Sequence, residues 1–141
     1  MAIREHPNPG TIVTVDYGRG FVEPEMVKRR LAIILSPNIK NRPGLCTVVP
    51  LSLTEPNPRM PYHAQLDVPF ELPEPWGNVP RWIKGDMINA VALHRVNLLR
   101  MGRTQDGSRI YQFRTLSSDE MRRVRRCVLH GLGLSGLTKH L

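Results

Sequence analysis

The sequence predicts a mainly β fold, a small barrel of short strands with one helix packed on it at the C-terminal end. Its 141 residues include 13 prolines and 11 glycines, which favour short elements joined by turns. Apolar, β-branched segments recur between these turns, whereas a helical repeat of apolar residues occurs once, near the end of the chain. The length predicts one domain over residues 1–141, with a core at about 9–130 and a flexible tail at 131–141.

Several segments have the character of strands. GTIVTVDYG is β-branched and aromatic and is bounded by glycines, and LAIILS is a continuous apolar run, typical of a strand buried on both faces. LCTVVPLSL is a third strand in which Pro50 marks a bulge or an end, and YHAQLDV alternates like a fourth. RTQDGSRIYQFRTL is predicted to be a hairpin that turns at Asp106-Gly107. DMINAVALHRVNLL fits either a strand or a helix, and the proline-rich segment 67–82 is a predicted loop.

One amphipathic helix is predicted near the C-terminus. Ser117 and Glu120 match a capping box, in which each side chain accepts from the other residue's backbone N–H, and Gly131 is the predicted C-cap. The apolar positions of the helix are Met121, Val124, Cys127, Val128 and Leu129. Its basic positions are Arg122, Arg123, Arg125 and Arg126, which favour a solvated face that could also attract an RNA backbone.

Composition limits the classes of partner. The formal net charge is +8, so a polyanion is expected: nucleic acid first, an acidic protein second and a membrane surface third. No apolar stretch approaches the ~18 residues of a membrane span, and the N-terminal segment lacks the apolar centre of a signal peptide, so we expect a cytoplasmic protein. Cys46 and Cys127 are expected to be buried thiols. The five histidines show no metal-ligand spacing, so no metal or other cofactor is expected.

Three cations precede the second strand, in KRRLAIILSP. Arg30 at the start of a strand could hold a phosphate, because a guanidinium offers forked donors and keeps its charge. The plainer alternative is a surface ion pair with Glu23 or Glu25. Ser52, which follows VVP, could donate to a phosphate oxygen or could be an ordinary strand-end hydroxyl.

A second group of candidates follows the proline-rich segment. Lys84 and Asp86 flank Gly85, a spacing that could set an acid beside a base or could be a solvated turn. Trp76 and Trp82 lie near Arg81 in sequence, and they could stack on single-stranded bases or anchor the loop to the core.

The ordered set GTIVTVDYG, RRLAIILSP and CTVVPLS resembles the MazF/PemK family of toxin ribonucleases, and the resemblance covers residues 9–130. It implies a strongly curved, SH3-like β-barrel with a C-terminal helix, and a homodimer that cuts single-stranded RNA without a metal ion. In that reaction the ribose 2′-hydroxyl attacks the phosphate and leaves a 2′,3′-cyclic phosphate and a 5′-hydroxyl. The implied partner is a cognate antitoxin whose acidic, flexible tail covers the RNA groove.

The resemblance assigns expected roles by position. Arg30 matches the arginine that enters the second strand, Ser52 matches a threonine after Val-Pro, and Glu25 matches a loop glutamate. Asp86 matches a later acid, and Lys84 stands where some members have arginine. Asp86 is then the expected base with Glu25 as the alternative, and Lys84 or Arg30 acts as the acid. The expected RNA-binding residues are Lys28, Arg29, Trp76, Arg81, Trp82 and Arg95.

Two other functions fit the same barrel. One is a protein without enzymatic activity, either a toxin that poisons gyrase or a regulatory protein. The other is a basic RNA-binding module. Only the enzyme requires Arg30, Ser52 and an acid to lie together. The long loop at 67–82 leaves the cleavage sequence unpredicted.

Overall fold

The structure, a computed structural model, describes residues 3–141 and has the mainly β architecture that the sequence predicts. Within these residues a helix, α1 (Ser118–Gly131), follows the strands, and short 3-10 helices occupy Leu93–Arg95 and Ser135–His140. The second of these lies in the tail that was predicted to be flexible. No helix in the described part of the chain is long and apolar enough to cross a membrane. The strands are β1 (Ile12–Asp16), β2 (Arg29–Ile34), β3 (Leu45–Ser52), β4 (His63–Leu66), β5 (Arg81–Lys84), β6 (Asn89–Ala92), β7 (Val96–Leu98), β8 (Arg100–Arg103) and β9 (Arg109–Tyr111).

The main sheet is antiparallel and has the order β4-β5-β3-β2-β1-β7, while β8 and β9 form the predicted hairpin. β5 and β6 both pair with β3. Trp82 and Ile83 of β5 pair with the C-terminal end of β3, and β6 pairs with the N-terminal half of β3. They act as one strand that is interrupted at residues 85–88. Pro50, which has no N–H to donate, lies at this interruption.

Pairing between β2 and β3 ends at Ala32 and Pro50, although both strands continue. Beyond that point β2 remains paired with β1, and β3 remains paired with β5. The sheet therefore divides there into two arms.

Both faces of the central strands are buried, which explains the continuous apolar run of LAIILS. Leu31 and Ile33 face a core that includes the apolar stripe of α1. Ala32 and Ile34 face a second core that includes Val48. Because side chains alternate along a strand, each face of β2 contributes to one of the two cores.

The predicted start of α1 is confirmed. The Ser117 hydroxyl accepts from the Glu120 N–H, and the Glu120 carboxylate accepts from the Ser117 N–H. The predicted C-cap was wrong, because α1 includes Gly131 and its C-cap is Leu132. Gly133, at a φ of +74°, is the glycine that leaves the helix in a left-handed conformation.

β5 lies in a region that the sequence analysis predicted to be loop and turn. Its four residues follow Pro80 and precede Gly85, and they take strand form because β3 and β4 pair with them on either side. This strand carries Trp82 and Lys84, so it contributes directly to the candidate site.

Candidate functional site

A row of side chains, polar except for one tryptophan, crosses four strands on one face of the sheet. Ala32 pairs with Pro50, so continuing that register by two residues places Arg30 opposite Ser52. Ser52 pairs in turn with Trp82, and Trp82 pairs with Gln65 of β4. Residues at facing positions of a sheet point to the same side. The face that they share is the one away from α1, since Arg30 also pairs with Val15 of the second core.

The Arg30 side chain is held by a backbone carbonyl group, and its terminal nitrogens remain free to donate. Its Nε donates to the Val27 carbonyl oxygen at 3.0 Å, which fixes the side chain and leaves the terminal nitrogens available. Among residues 3–141 no carboxylate oxygen lies within 4.0 Å of this guanidinium, so neither Glu23 nor Glu25 forms the ion pair of the plainer alternative. The positive charge is therefore open to an anion from outside the chain.

Ser52 has a free hydroxyl proton. Its Oγ accepts from the Thr54 N–H at 3.2 Å, which orients the oxygen and leaves the O–H as a donor. Ser52 is half-buried at the end of β3. Together with Arg30 it presents one neutral and one charged donor toward the point where the two arms of the sheet divide.

Asp86 lies in the interruption between β5 and β6, and close backbone packing fixes its position. A Cβ on Gly131 would lie 2.6 Å from the Gly85 carbonyl oxygen and 2.8 Å from the Asp86 Cα. A Cβ on Gly85 would lie 2.5 Å from the Cys127 carbonyl oxygen. Two glycines thus allow the turn to rest against the backbone of α1, and the Asp86 carboxylate projects from a fixed base.

His63 faces Asp86 and was not predicted as a site residue. It pairs with Lys84 across β4 and β5, and its Nε2 lies 4.0 Å from the Asp86 Oδ1. The side chain of His63 is 5% exposed and that of Asp86 is 34% exposed. His63 Nδ1 accepts from the Met60 N–H at 3.1 Å, whereas Nε2 is buried without a hydrogen-bond partner.

The surroundings of His63 favour its neutral form. Burial lowers the pKa of the imidazole, the Lys84 and Arg59 cations lower it further, and the Asp86 carboxylate opposes them. Because Nδ1 accepts a hydrogen bond, the neutral ring carries its proton on Nε2, the nitrogen that faces Asp86.

Lys84 is half-buried beside this pair and forms no ion pair with Asp86, since no lysine nitrogen lies within 4.0 Å of that carboxylate in the described residues. Trp82 is 6% exposed, and the Arg59 guanidinium covers its ring at 4.8 Å from the centroid. The Trp82 ring is therefore already stacked against the Arg59 guanidinium.

Arg81 belongs to the framework of the loop and not to a surface open to RNA. It is 3% exposed, and its guanidinium donates to the carbonyl oxygens of Trp76, Gly77 and Val79. The side chain closes the proline-rich segment by satisfying buried carbonyl groups. Its expected role in RNA binding is not retained for this reason. Trp76 is half-buried and packs against the first core, which favours the alternative that it anchors the loop.

The other expected residues lie around the loop between β1 and β2. The Glu25 carboxylate accepts from the Val22 N–H within a turn of that loop. Arg95 donates to the Asp16 carbonyl oxygen, and its guanidinium lies over the Phe21 ring at 5.1 Å, so it ties the loop to the 3-10 helix Leu93–Arg95. The remaining two cations, Lys28 and Arg29, are exposed at the start of β2.

The part of the chain from residue 3 onward contains no group of three or more His, Cys, Asp or Glu side chains that could hold a metal ion.

A family model matches residues 8–132 of the chain, and its description is PemK-like, MazF-like toxin of type II toxin–antitoxin system. The chain belongs to this family. An uncharacterized protein of Haemophilus influenzae is 31% identical, over 97% of this chain and 98% of that protein.

Solved structures of the same fold agree with this membership. MazF from Deinococcus radiodurans has a TM-score of 0.60 at 20% identity, covering 92% of this chain and 98% of that one. An endoribonuclease in complex with its cognate antitoxin, from a mycobacterial species, has a TM-score of 0.58 at 17% identity, covering 92% and 97%. At these identities the likeness shows the fold, and it confirms the mainly β architecture with a C-terminal helix.

Within this PemK/MazF fold, the β2–β3 register, continued two residues past its last pair, sets Arg30 across from Ser52, whereas Asp86 lies in the turn after β5. Two strand spacings, about 10 Å, separate the backbones of β2 and β5. Among the described residues Asp86 has His63, and neither Arg30 nor Ser52, as its polar neighbour. Sequence reasoning missed His63 because its partner strand, β5, was not predicted, and one histidine among five carries no signal by itself.

Proposed function

We propose that this member of the PemK/MazF family is a sequence-specific endoribonuclease that cuts single-stranded RNA without a metal ion. The observation that carries the proposal is the pair of Arg30 and Ser52. They lie two residues beyond the last β2–β3 pair, on the two strands that part there; the guanidinium has no carboxylate partner in the described residues, and the hydroxyl is free to donate. A binding module needs positive charge but has no need of a fixed hydroxyl beside it.

The chemistry follows from where charge develops. The ribose 2′-oxygen attacks the adjacent phosphorus, the O2′–P bond forms and the P–O5′ bond breaks, giving a 2′,3′-cyclic phosphate and a 5′-hydroxyl. Arg30 and Ser52 donate to the phosphoryl oxygens, whose negative charge grows as the attack proceeds. Asp86 takes the proton from the 2′-hydroxyl, which requires the bound ribose to reach across the two strand spacings from the phosphate at Arg30 and Ser52. Lys84, or Arg30 in its place, returns a proton to the leaving 5′-oxygen. Asp86 is preferred to Glu25 as the base because the Glu25 carboxylate already accepts the Val22 N–H within its own loop.

The proposed partners follow from the family and from charge. A cognate antitoxin with an acidic, flexible tail complements a chain whose formal net charge is +8. One of the similar solved structures contains a cognate antitoxin. A homodimer acting on mRNA in the cytoplasm completes the proposal.

The test is cleavage of end-labelled single-stranded RNA in the presence of EDTA. We expect fragments that end in 2′,3′-cyclic phosphate and 5′-hydroxyl, with DNA and duplex RNA left intact. A substrate with a single 2′-deoxyribose at the cleavage site should resist, because the nucleophile is absent. An Arg30→Ala protein purified in parallel controls for contaminating nuclease.

Activity that EDTA abolishes and magnesium restores would contradict the mechanism. Tight RNA binding without cleavage under every condition would favour the basic RNA-binding module instead.

A further inference from the structure

We infer that His63 is a positioning residue that donates an Nε2–H hydrogen bond to Asp86 and holds that carboxylate in the orientation required of the base. The inference rests on the proposed function, because it assigns a part to a residue beside the proposed base. Three independent features of His63 carry it: its register, its tautomer and its unpartnered nitrogen.

The register brings His63 to the site. His63 is the first residue of β4, opposite Lys84, and Lys84 is two residues before Asp86. Asp86 cannot shift far, because the Gly85 and Gly131 backbones pack against each other. The imidazole and the carboxylate are therefore held by two separate elements at a separation of 4.0 Å.

The tautomer gives the contact its direction. Met60 N–H occupies His63 Nδ1 as a donor, so in the neutral ring Nε2 must carry the hydrogen. Three charged groups bear on the ring: Lys84 from β5, Asp86 from the following turn and Arg59 from the loop before β4. The two cations and burial favour the neutral ring, so His63 donates its Nε2–H to the carboxylate without transferring the proton.

The unpartnered Nε2 of His63 indicates a hydrogen bond to Asp86 that forms when substrate binds. A buried N–H without a partner is costly, and Nε2 is such a group. Asp86 Oδ1 faces it about 1 Å beyond ordinary hydrogen-bond distance. Catalytic hydrogen bonds commonly tighten when substrate binds. The Asp86 carboxylate is partly exposed, so rotation of its side chain closes the gap and leaves the second oxygen to face the 2′-hydroxyl.

The test compares two amide replacements, each of which mimics one nitrogen of the imidazole. His63→Asn retains an acceptor near the Nδ1 position and removes the donor toward Asp86, whereas His63→Gln retains a donor near the Nε2 position. We expect His63→Asn to lower kcat about 10- to 100-fold, the cost of a misplaced catalytic group, and His63→Gln to recover part of that loss. Binding of a 2′-deoxy-substituted RNA should stay within about twofold in both, because His63 acts through Asp86 and not on the RNA.

A pH profile separates positioning from a structural role. A hydrogen bond to the charged form of a carboxylate favours that form. The acidic limb of the kcat profile should therefore move to higher pH in His63→Asn and remain in place in His63→Gln. His140→Asn, the same change on the exposed C-terminal 3-10 helix, is the matched control. If the wild-type protein cuts RNA and His63→Asn leaves both kcat and this limb unchanged, the inference is overturned.

Nitrogen-15 NMR of the imidazole tests the contact without activity. We expect the Nε2–H tautomer in the wild-type protein, and a lower His63 pKa in Asp86→Asn, because the carboxylate that opposes the lowering is gone. An Nδ1–H tautomer, or an unchanged pKa in Asp86→Asn, would overturn the inference. If the NMR results are as expected but no RNA is cut, the proposed function fails while the contact stands.

Discussion

At the scale of single residues, Arg30 shows how a backbone contact determines what a charge can do. An arginine at the start of a strand is ordinarily solvated and mobile, and fixing such a side chain costs roughly 1.5–2 kcal/mol of conformational entropy. The hydrogen bond from Arg30 Nε to the Val27 carbonyl oxygen fixes the side chain before any ligand arrives. A donor that is already oriented can stabilise the charge that develops in the transition state without any cost of reorientation.

We expect Arg30→Ala to lower the cleavage rate by about 10²–10³-fold, the usual effect of removing one such donor. Loss of the hydrogen bond to Val27 should reduce the free energy of unfolding by only about 1 kcal/mol. Single-turnover cleavage and urea unfolding measure the two effects. Arg30→Lys should recover little activity, because a point charge cannot replace the guanidinium fork.

Arg29→Ala is the matched control, since the neighbouring side chain points to the other side of β2. A large loss of cleavage in Arg29→Ala with an active Arg30→Ala protein would contradict the assignment.

Tyr17 and Cys46 are two weak acids buried together in the second core. Burial raises the pKa of the Cys46 thiol to about 11 from an ordinary value of 9.0, and Arg42 opposes this only in part. Burial also raises the pKa of Tyr17, and Cys46 adds to that effect. Both groups must stay protonated for the fold to keep its full stability.

The sign of the pH dependence follows from this. Because the folded-state pKa of Cys46 is raised, its contribution is complete below pH 9 and is lost as pH rises toward 11. We expect a loss of about 2–3 kcal/mol in the free energy of unfolding across that window, at 1.36 kcal/mol per pKa unit. Urea unfolding at several pH values measures it.

Cys46→Ala is the comparison for this pH series. It should be less stable at neutral pH, because a buried side chain is shortened, yet its stability should fall less between pH 9 and 11. Parallel curves for the two proteins would show that Cys46 does not titrate in this range.

At the scale of elements, the contact of α1 with the turn at residues 85–88 positions the proposed base. Helix and turn approach each other through Gly85 and Gly131, where side chains would collide with backbone. Asp86 is thereby placed by two backbones, which are far less adjustable than side chains.

Gly131→Ala should displace this turn. Alanine gains up to about 1 kcal/mol in helix propensity, but its Cβ would lie 2.6 Å from the Gly85 carbonyl oxygen, and overpacking costs about 1–3 kcal/mol. We expect a lower melting temperature and a loss of cleavage larger than the loss of RNA binding, because Asp86 moves.

Gly136→Ala is the control, because its Cβ would meet nothing within 4 Å and its φ is ordinary. An unchanged melting temperature and unchanged cleavage in Gly131→Ala would mean that the turn is free to shift.

The elements also show what a sequence can and cannot predict here. LAIILS could be recognised because a strand buried on both faces is apolar throughout, and α1 because its capping box and apolar stripe are local signals. β5 could not be recognised, because its four residues become a strand only through pairing with β3 and β4. His63 lies near Asp86 only because of that strand, so this proximity could not be predicted either. Arg81 was selected for its charge, whereas its burial depends on the path of residues 76–79.

At the scale of the whole molecule, apolar surface remains uncovered. Four leucines of the C-terminal segment are between 37% and 52% exposed, and β4 and β7 lie at the two edges of the main sheet. Exposed edges and apolar patches favour association. The exposed leucines are Leu132, Leu134, Leu137 and Leu141.

We expect a homodimer in solution. Light scattering at micromolar concentration should give about twice the chain mass of 16.1 kDa. Leu134→Ser with Leu137→Ser should shift the equilibrium toward the monomer if these leucines are covered by the second copy. A wild-type monomer that cuts RNA at full rate would contradict the expected dimer.

The division of the sheet beyond Ala32 and Pro50 has a consequence for motion. Arg30 is carried by the arm that stays with β1, and Ser52 by the arm that stays with β5. Because no ladder bond joins these arms, we expect them to move relative to each other more readily than the central strands do. A phosphate bound by both side chains would bridge the two arms where no inter-strand hydrogen bond joins them. Backbone amides near residues 30 and 52 should then exchange with deuterium more slowly once a non-cleavable RNA is bound, and amides in the middle of β3 should not change.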